Sequence, residues 1–128
     1  EATKLLIPGI LWDEFHREVG KLMTSELLNL GLLDKADIQN EKPENPAYKK
    51  YFMHGTSHHL GLNTHDYGLL HLPIEKNMVF TVEPGIYIPE EGFGIRLEDD
   101  VVIQQSGAPI NLMKNIPIEI EEIENSMN

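Results

Sequence analysis

Between Leu11 and Leu30 the apolar side chains recur at steps of three and four, and no other feature limits the fold of this chain as much. Leu11, Phe15, Val19, Leu22, Met23, Leu27 and Leu30 fall on one face of a helix over 11–30. A stripe that long must be covered by a second layer. Pro8 and Gly9 form a loop before the helix. Gly31 suits the position just past its end, with Leu32 placed to make the closing hydrophobic contact. The material able to cover the stripe is extended. Residues 78–88 are β-branched and aromatic but are broken by Pro84 and Gly85, which fits two short strands around a bend or one bulged strand. Residues 93–104 read as strands through Ile95, Leu97, Val101, Val102 and Ile103. Residues 34–50 are polar, contain Pro43 and Pro46, and read as a surface loop with a helical turn near 47–51. A Glu-rich helix over 116–124, entered after Pro117, closes the chain. The class is α+β: a long helix, a mostly antiparallel set of strands and a terminal helix, in one domain over 1–128.

Composition removes several functions. The chain has no cysteine, which excludes disulfides, zinc–thiolate sites and cysteine nucleophiles, and fits a reducing, cytoplasmic setting. Asp and Glu number 21 against 10 Lys and Arg, a net charge of −11. That balance argues against nucleic acid and against anionic membrane surfaces as partners, because both need clustered Lys and Arg. No run approaches the roughly 20 apolar residues of a membrane-spanning helix, and no secretory signal opens the chain. Its start at Glu1, close to a helical pattern, reads as a piece of something longer.

Three segments could carry chemistry. The densest is His54-Gly55-Thr56-Ser57-His58-His59-Leu60-Gly61-Leu62-Asn63-Thr64-His65-Asp66. Histidine ligates metals and exchanges protons near neutral pH. Any one of these rings more often has a structural role, whereas the cluster as a whole favours function. The second is Glu83, inside an apolar run and directly before Pro84-Gly85. A buried carboxylate there needs an ion pair or a cation; the alternative is an exposed strand face. The third is Gly94-Ile95-Arg96-Leu97-Glu98-Asp99-Asp100. Alternation puts Ile95 and Leu97 on one face and Arg96 and Glu98 on the other, which alone reads as an ion pair before a polar turn. Together, one imidazole and two carboxylates suit Mn²⁺, Co²⁺, Zn²⁺ or Fe²⁺. A helix-borne zinc motif, a serine-hydrolase elbow and a phosphate-binding glycine loop are all absent from the sequence.

In order and spacing, the His54–Asp66 block, the block Thr81-Val82-Glu83-Pro84-Gly85-Ile86-Tyr87 and the Gly94–Asp100 block resemble the Xaa-Pro aminopeptidases and prolidases of the pita-bread metallopeptidase superfamily. Each block alone is moderately specific; the three in sequence are far more so. The resemblance runs from Leu11 to the Glu-rich end. It implies the C-terminal half of a pita-bread catalytic domain whose two divalent metals are held by two aspartates, one histidine and two glutamates. His58 matches the histidine ligand. Glu83 matches the glutamate that shares its metal and handles the proton of the attacking water. Glu98 matches the glutamate that bridges both metals. His54 and His65 match catalytic, substrate-binding histidines, and Arg96 an arginine beside the metal-binding carboxylates. The metals, Mn²⁺ as first expectation with Co²⁺ or Zn²⁺ as alternatives, would supply a bridging hydroxide that attacks the bond before proline.

One departure from the family pattern matters. The two aspartate ligands belong to the preceding half of the fold, and Asp13, Asp34 and Asp37 lack that strand context. The expectation is therefore an isolated chain that is inactive and binds metal weakly, with the preceding half of its domain as a partner. The parent would be a homo-oligomer acting on proline-containing peptides. Prolidase, which cleaves dipeptides, and a non-catalytic relative serving as a binding module are the alternatives.

Overall fold

The computed structural model describes residues 1–127. A short helix α1 (Ala2–Leu5) leads into the long helix α2 (Trp12–Asn29), bounded by Leu11 and Leu30 as the periodicity requires. Phe15, Val19, Met23 and Leu27 are buried along the stripe, whereas Leu11 and Leu30 lie at its ends and are exposed. Each fully buried apolar side chain contributes about 1.5–3 kcal/mol. The helix ends in a Schellman motif. The Leu32 N–H donates to the Leu27 carbonyl at 2.9 Å and the Gly31 N–H to that of Leu28 at 3.0 Å. Gly31 sits at φ 72°, and Leu32 packs onto Leu27, Leu33 and Tyr51.

The polar segment after the helix holds more order than its sequence suggested. Helix α3 (Lys35–Gln39) is closed by a reciprocal capping box, in which the Asp37 N–H donates to Asp34 and the Asp34 N–H donates to Asp37. The Asp-x-x-Asp pattern was the available signal. A 3₁₀ turn at Ala47–Lys50 occupies the expected place.

The strands are β1 (Val79–Val82), β2 (Gly85–Ile88), β3 (Phe93–Arg96), β4 (Asp99–Val102) and β5 (Ile110–Asn111), all antiparallel where they pair. β1 pairs with β4, and β2 with β3. Val82 is opposite Asp99 and Gly85 opposite Arg96, so the register passes through the bend without a slip. The four strands thus form one bent hairpin in which Glu83 falls opposite Glu98 and Pro84 opposite Leu97. Pro84 has no N–H to donate, and the ladder is interrupted there.

Residues 56–60 run along the other edge of β1. The N–H groups of Glu83, Thr81 and Leu60 bond the carbonyls of Thr56, His58 and Val79 at 2.7, 3.0 and 3.1 Å. Alternation gives the sheet two faces. Phe80, Val82 and Val101 join the core with Phe15, Val19 and Met23 of α2. The same face of β2–β3 continues as an apolar groove of about 580 Å³, lined by Ile86, Ile88, Phe93, Ile95 and Leu97 together with Met23 and Leu30. The other face carries Thr81, Glu83, Tyr87, Arg96 and Glu98. The terminal helix α4 (Ile120–Ser126) starts later than the expected 116–124 and is exposed throughout. Its N-terminal boundary is Glu119 rather than the segment after Pro117. Among the described residues no helix is long and apolar enough to cross a membrane.

An aromatic group seals the start of α2. Trp12 lies 4.8 Å from the His16 ring and 5.3 Å from Phe80. Burial pushes the His16 imidazole below its usual value, with Asp13 partly offsetting the shift.

Two predictions follow from this packing. Gly31→Ala places a Cβ in open space but forces a left-handed conformation on an L-residue. It should cost about 1–2 kcal/mol in urea unfolding, and Gly31→Asn less. The folded state also disfavours a proton on His16, whereas the unfolded chain accepts one near pH 6.5. Stability should hold above that pH and fall as pH drops below it, and His16→Phe should flatten that part of the profile, as urea midpoints at pH 7.5 and 5.5 would show.

Candidate metal centre

Three neighbouring chain segments deliver the polar cluster. His58 comes from the edge segment 56–60, Glu83 from the bend between β1 and β2, and Glu98 from the bend between β3 and β4. A nitrogen of His58 and one carboxylate oxygen each of Glu83 and Glu98 lie within 4.8 Å of one another, the one such trio among the described residues. His58 Nε2 is 3.3 Å from Glu83 Oε1. The Glu83 side chain is 13% exposed, so the alternative of an exposed strand face does not apply.

The surroundings fix each member. His58 Nδ1 is 2.9 Å from the His59 carbonyl, which can only accept, so Nδ1 carries the proton there. In the neutral ring that leaves the Nε2 lone pair on the Glu83 side, the arrangement a metal-binding imidazole requires. The His58 backbone N–H donates to Thr81 Oγ1 at 3.1 Å, and the buried Thr81 hydroxyl in turn reaches Glu83 Oε1 at 3.4 Å. Arg96 Nη1 lies 3.5 Å from Glu83 Oε2.

Glu83 and Glu98 present like charges directly across an antiparallel register, an arrangement that destabilises a sheet unless something offsets it. Arg96 offsets part. A divalent cation fits the rest, because two carboxylates and one neutral imidazole form a hard O/N donor set. Asp34 and Asp37 are committed to the α3 capping box, and Asp13 lies in the first turn of α2.

His54 and His65 flank this trio. His54 Nδ1 is 2.8 Å from the Gly55 carbonyl and Nε2 2.8 Å from the Tyr87 hydroxyl, which donates to it. The Tyr87 ring lies over Gly85 and Gly94, where a Cβ on either glycine would collide with it. The exposed His65 ring stands edge-on to His58 with centroids 4.4 Å apart. His54, Gly55, His58, His65, Glu83 and Arg96 line a cleft of about 390 Å³. The structure therefore brings all six sequence-selected residues together, Glu98 joining through its distance to His58 and Glu83. It adds Tyr87 and Thr81, which the sequence reading passed over. Both lie at even spacing from Glu83 in extended chain, which puts them on its face.

A His/Glu cluster able to hold a divalent cation points to a class of protein, and comparison with known proteins narrows it. The chain belongs to metallopeptidase family M24, whose profile matches residues 1–105. It is 40% identical over 99% of its length to the Xaa-Pro aminopeptidase of Haemophilus influenzae, and 42% identical over 96% to that of Escherichia coli. It spans about a third of those relatives, 32% and 30% of their lengths. Among solved structures it is similar to aminopeptidase PepP of Pseudomonas aeruginosa, with TM-score 0.81 and 36% identity over 98% of this chain and 31% of that one. The prolidase of Pyrococcus horikoshii is more distant, with TM-score 0.61 and 28% identity over 87% of this chain and 27% of that one. The α+β arrangement read from the sequence is that of the matching third of the pita-bread aminopeptidase P neighbours from Pseudomonas aeruginosa and Escherichia coli.

Relief of the opposed charges is directly measurable. In metal-free buffer Glu98→Gln should raise the urea midpoint of the chain at pH 7. An equal or lower midpoint would mean that the carboxylates do not repel each other across the bend.

Proposed function

We propose that this chain is the C-terminal half of the catalytic domain of a metallo-aminopeptidase that removes the residue before proline. The observation that carries the reading is the convergence of His58, Glu83 and Glu98 on one point from three chain segments. The identity to Xaa-Pro aminopeptidases over nearly the whole chain supports the substrate class.

His58, Glu83 and Glu98 would hold the divalent ions, with Mn²⁺ as the proposed species and two aspartates supplied from outside this chain. When bound, the ions make a water acidic enough to react at neutral pH and polarise the scissile carbonyl. Glu83, which lines the cleft with Oε1 turned to His58 Nε2, takes the proton of the attacking water. Arg96 holds the other oxygen of that carboxylate and so fixes its direction. His65 extends from the exposed loop over the cleft and contacts the substrate carbonyl or the proline side. His54, braced by Tyr87 and Gly55, forms the opposite wall. The peptide bond before proline is a tertiary amide with no N–H, so recognition rests on shape and on the carbonyl, which suits a cleft walled by imidazoles.

Prolidase is the second reading; the lower identity and TM-score of the prolidase neighbour favour the aminopeptidase over it. The intact trio speaks against a non-catalytic binding module. A homo-oligomer and a cytoplasmic setting belong to the same proposal, the latter resting on the absence of cysteine.

With three of five ligands, the purified chain should release no N-terminal residue from an Xaa-Pro-Xaa tripeptide in Mn²⁺. In the longer protein that contains it, Glu83→Gln should lower kcat by about 100-fold or more while KM changes little. Efficient cleavage by the isolated chain would overturn the half-site reading, and an unaffected kcat would remove Glu83 from the proton step.

A further inference from the structure

The loop that carries His65 has nothing of its own in the core. Residues 61–65 are all exposed, and Leu62 is fully so. Hydrophobic packing therefore cannot set the direction of the His65 ring, yet the ring meets His58 edge-on at 4.4 Å. What closes the loop is the next side chain, Asp66. Its Oδ2 accepts the Leu62 N–H at 2.9 Å, and its Oδ1 accepts the Tyr67 N–H at 2.9 Å and the Asn63 side-chain amide at 3.4 Å. The carboxylate thus ties both ends of the turn together around His65. The fit is close, because a Cβ at Gly61 would overlap Asp66 Oδ2. These donors also hold the Asp66 carboxyl below its ordinary range, the Tyr67 N–H most of all, so it is anionic at neutral pH.

We infer that Asp66 is a positioning residue, whose carboxylate folds the loop over 61–67 so that His65 stands against the ligand imidazole of His58. The carboxylate accepts hydrogen bonds from Leu62, Asn63 and Tyr67 and from neither ring. It acts through the backbone, by making one conformation of an exposed loop more stable than the others. Two backbone bonds assist, from the Asp66 N–H to the His59 carbonyl at 3.0 Å and from the Gly61 N–H to the Asn63 carbonyl at 3.2 Å. The first brackets the loop and persists without the carboxylate, but only the carboxylate engages the Leu62 and Tyr67 N–H groups. The consequence for catalysis rests on the peptidase reading; the placement of His65 does not.

The test is nuclear Overhauser contact between the His58 and His65 imidazole protons in a histidine-labelled sample of the 128-residue chain. The His54–Tyr87 contact in the same spectrum reports that the bent hairpin is intact. The wild type should show both contacts. Asp66→Ala should keep the His54–Tyr87 contact and lose that between His58 and His65 by at least fivefold in intensity. Asp66→Asn, which retains one acceptor oxygen, should restore it in part. Gly61→Ala, which displaces the carboxylate without removing it, should reproduce the loss and serves as the second variant if Asp66→Ala does not fold. An undiminished His58–His65 contact in Asp66→Ala or Gly61→Ala would overturn the inference. If these spectra behave as expected while Xaa-Pro cleavage by the longer protein fails, the functional reading falls and the positioning role stands.

Discussion

The structure depends on a register that survives a break. β1–β4 and β2–β3 are separate ladders, yet their pairings continue each other across Pro84. Because the count is preserved, Glu83 meets Glu98, and the two carboxylates leave the sheet on one face. A shift of one residue in either strand would send one of them to the helix side. The bend opens room between them, because Pro84 removes the ladder bond that would otherwise draw the strands together.

That one constraint sorts the remaining residues. The helix-facing side of the sheet is apolar from Phe80 to Val101 and packs on α2. The other side is polar and receives His58 from a third strand-like segment held by backbone bonds along β1. Fixing the imidazole tautomer costs no further element, since the next residue's own carbonyl accepts the Nδ1 proton. Two like charges brought together in this way would be relieved by a divalent cation, so the proposed metal binding follows from topology and not from acidity in general. The chain's 21 acidic residues otherwise gather into no second trio among the described residues.

Much of this was legible in the sequence, and the limits are physical. The α2 stripe and the Gly31 stop are local patterns set by helix period and backbone sterics, and both held. The alternation Ile95/Leu97 against Arg96/Glu98 matches the two faces of β3 and of the bend that follows it. The continuation of register through Pro84 was not legible, because pairing between distant segments leaves no local mark. Tyr87 was overlooked for the same reason: its partner His54 lies 33 residues away. Helix α3 was missed because its cap uses Asp in place of the usual Ser or Thr, within a segment whose prolines suggested a loop. The terminal helix starts at Ile120 and not at 116, because Glu119 is extended at φ −77°, ψ 143° and bounds it there, whereas Pro117 reads in the sequence as a first-turn residue. The roles of His58, Glu83 and Glu98 came from motif resemblance; the geometry adds that one ion could reach all three.

The most direct test of this account is a calorimetric titration of Mn²⁺ into the purified chain at pH 7, beside Glu98→Ala. The opposed carboxylates predict a weak, saturable heat in the wild type that vanishes in the variant. The same heat in both would contradict the account, because the cation would then be bound somewhere other than across the bend.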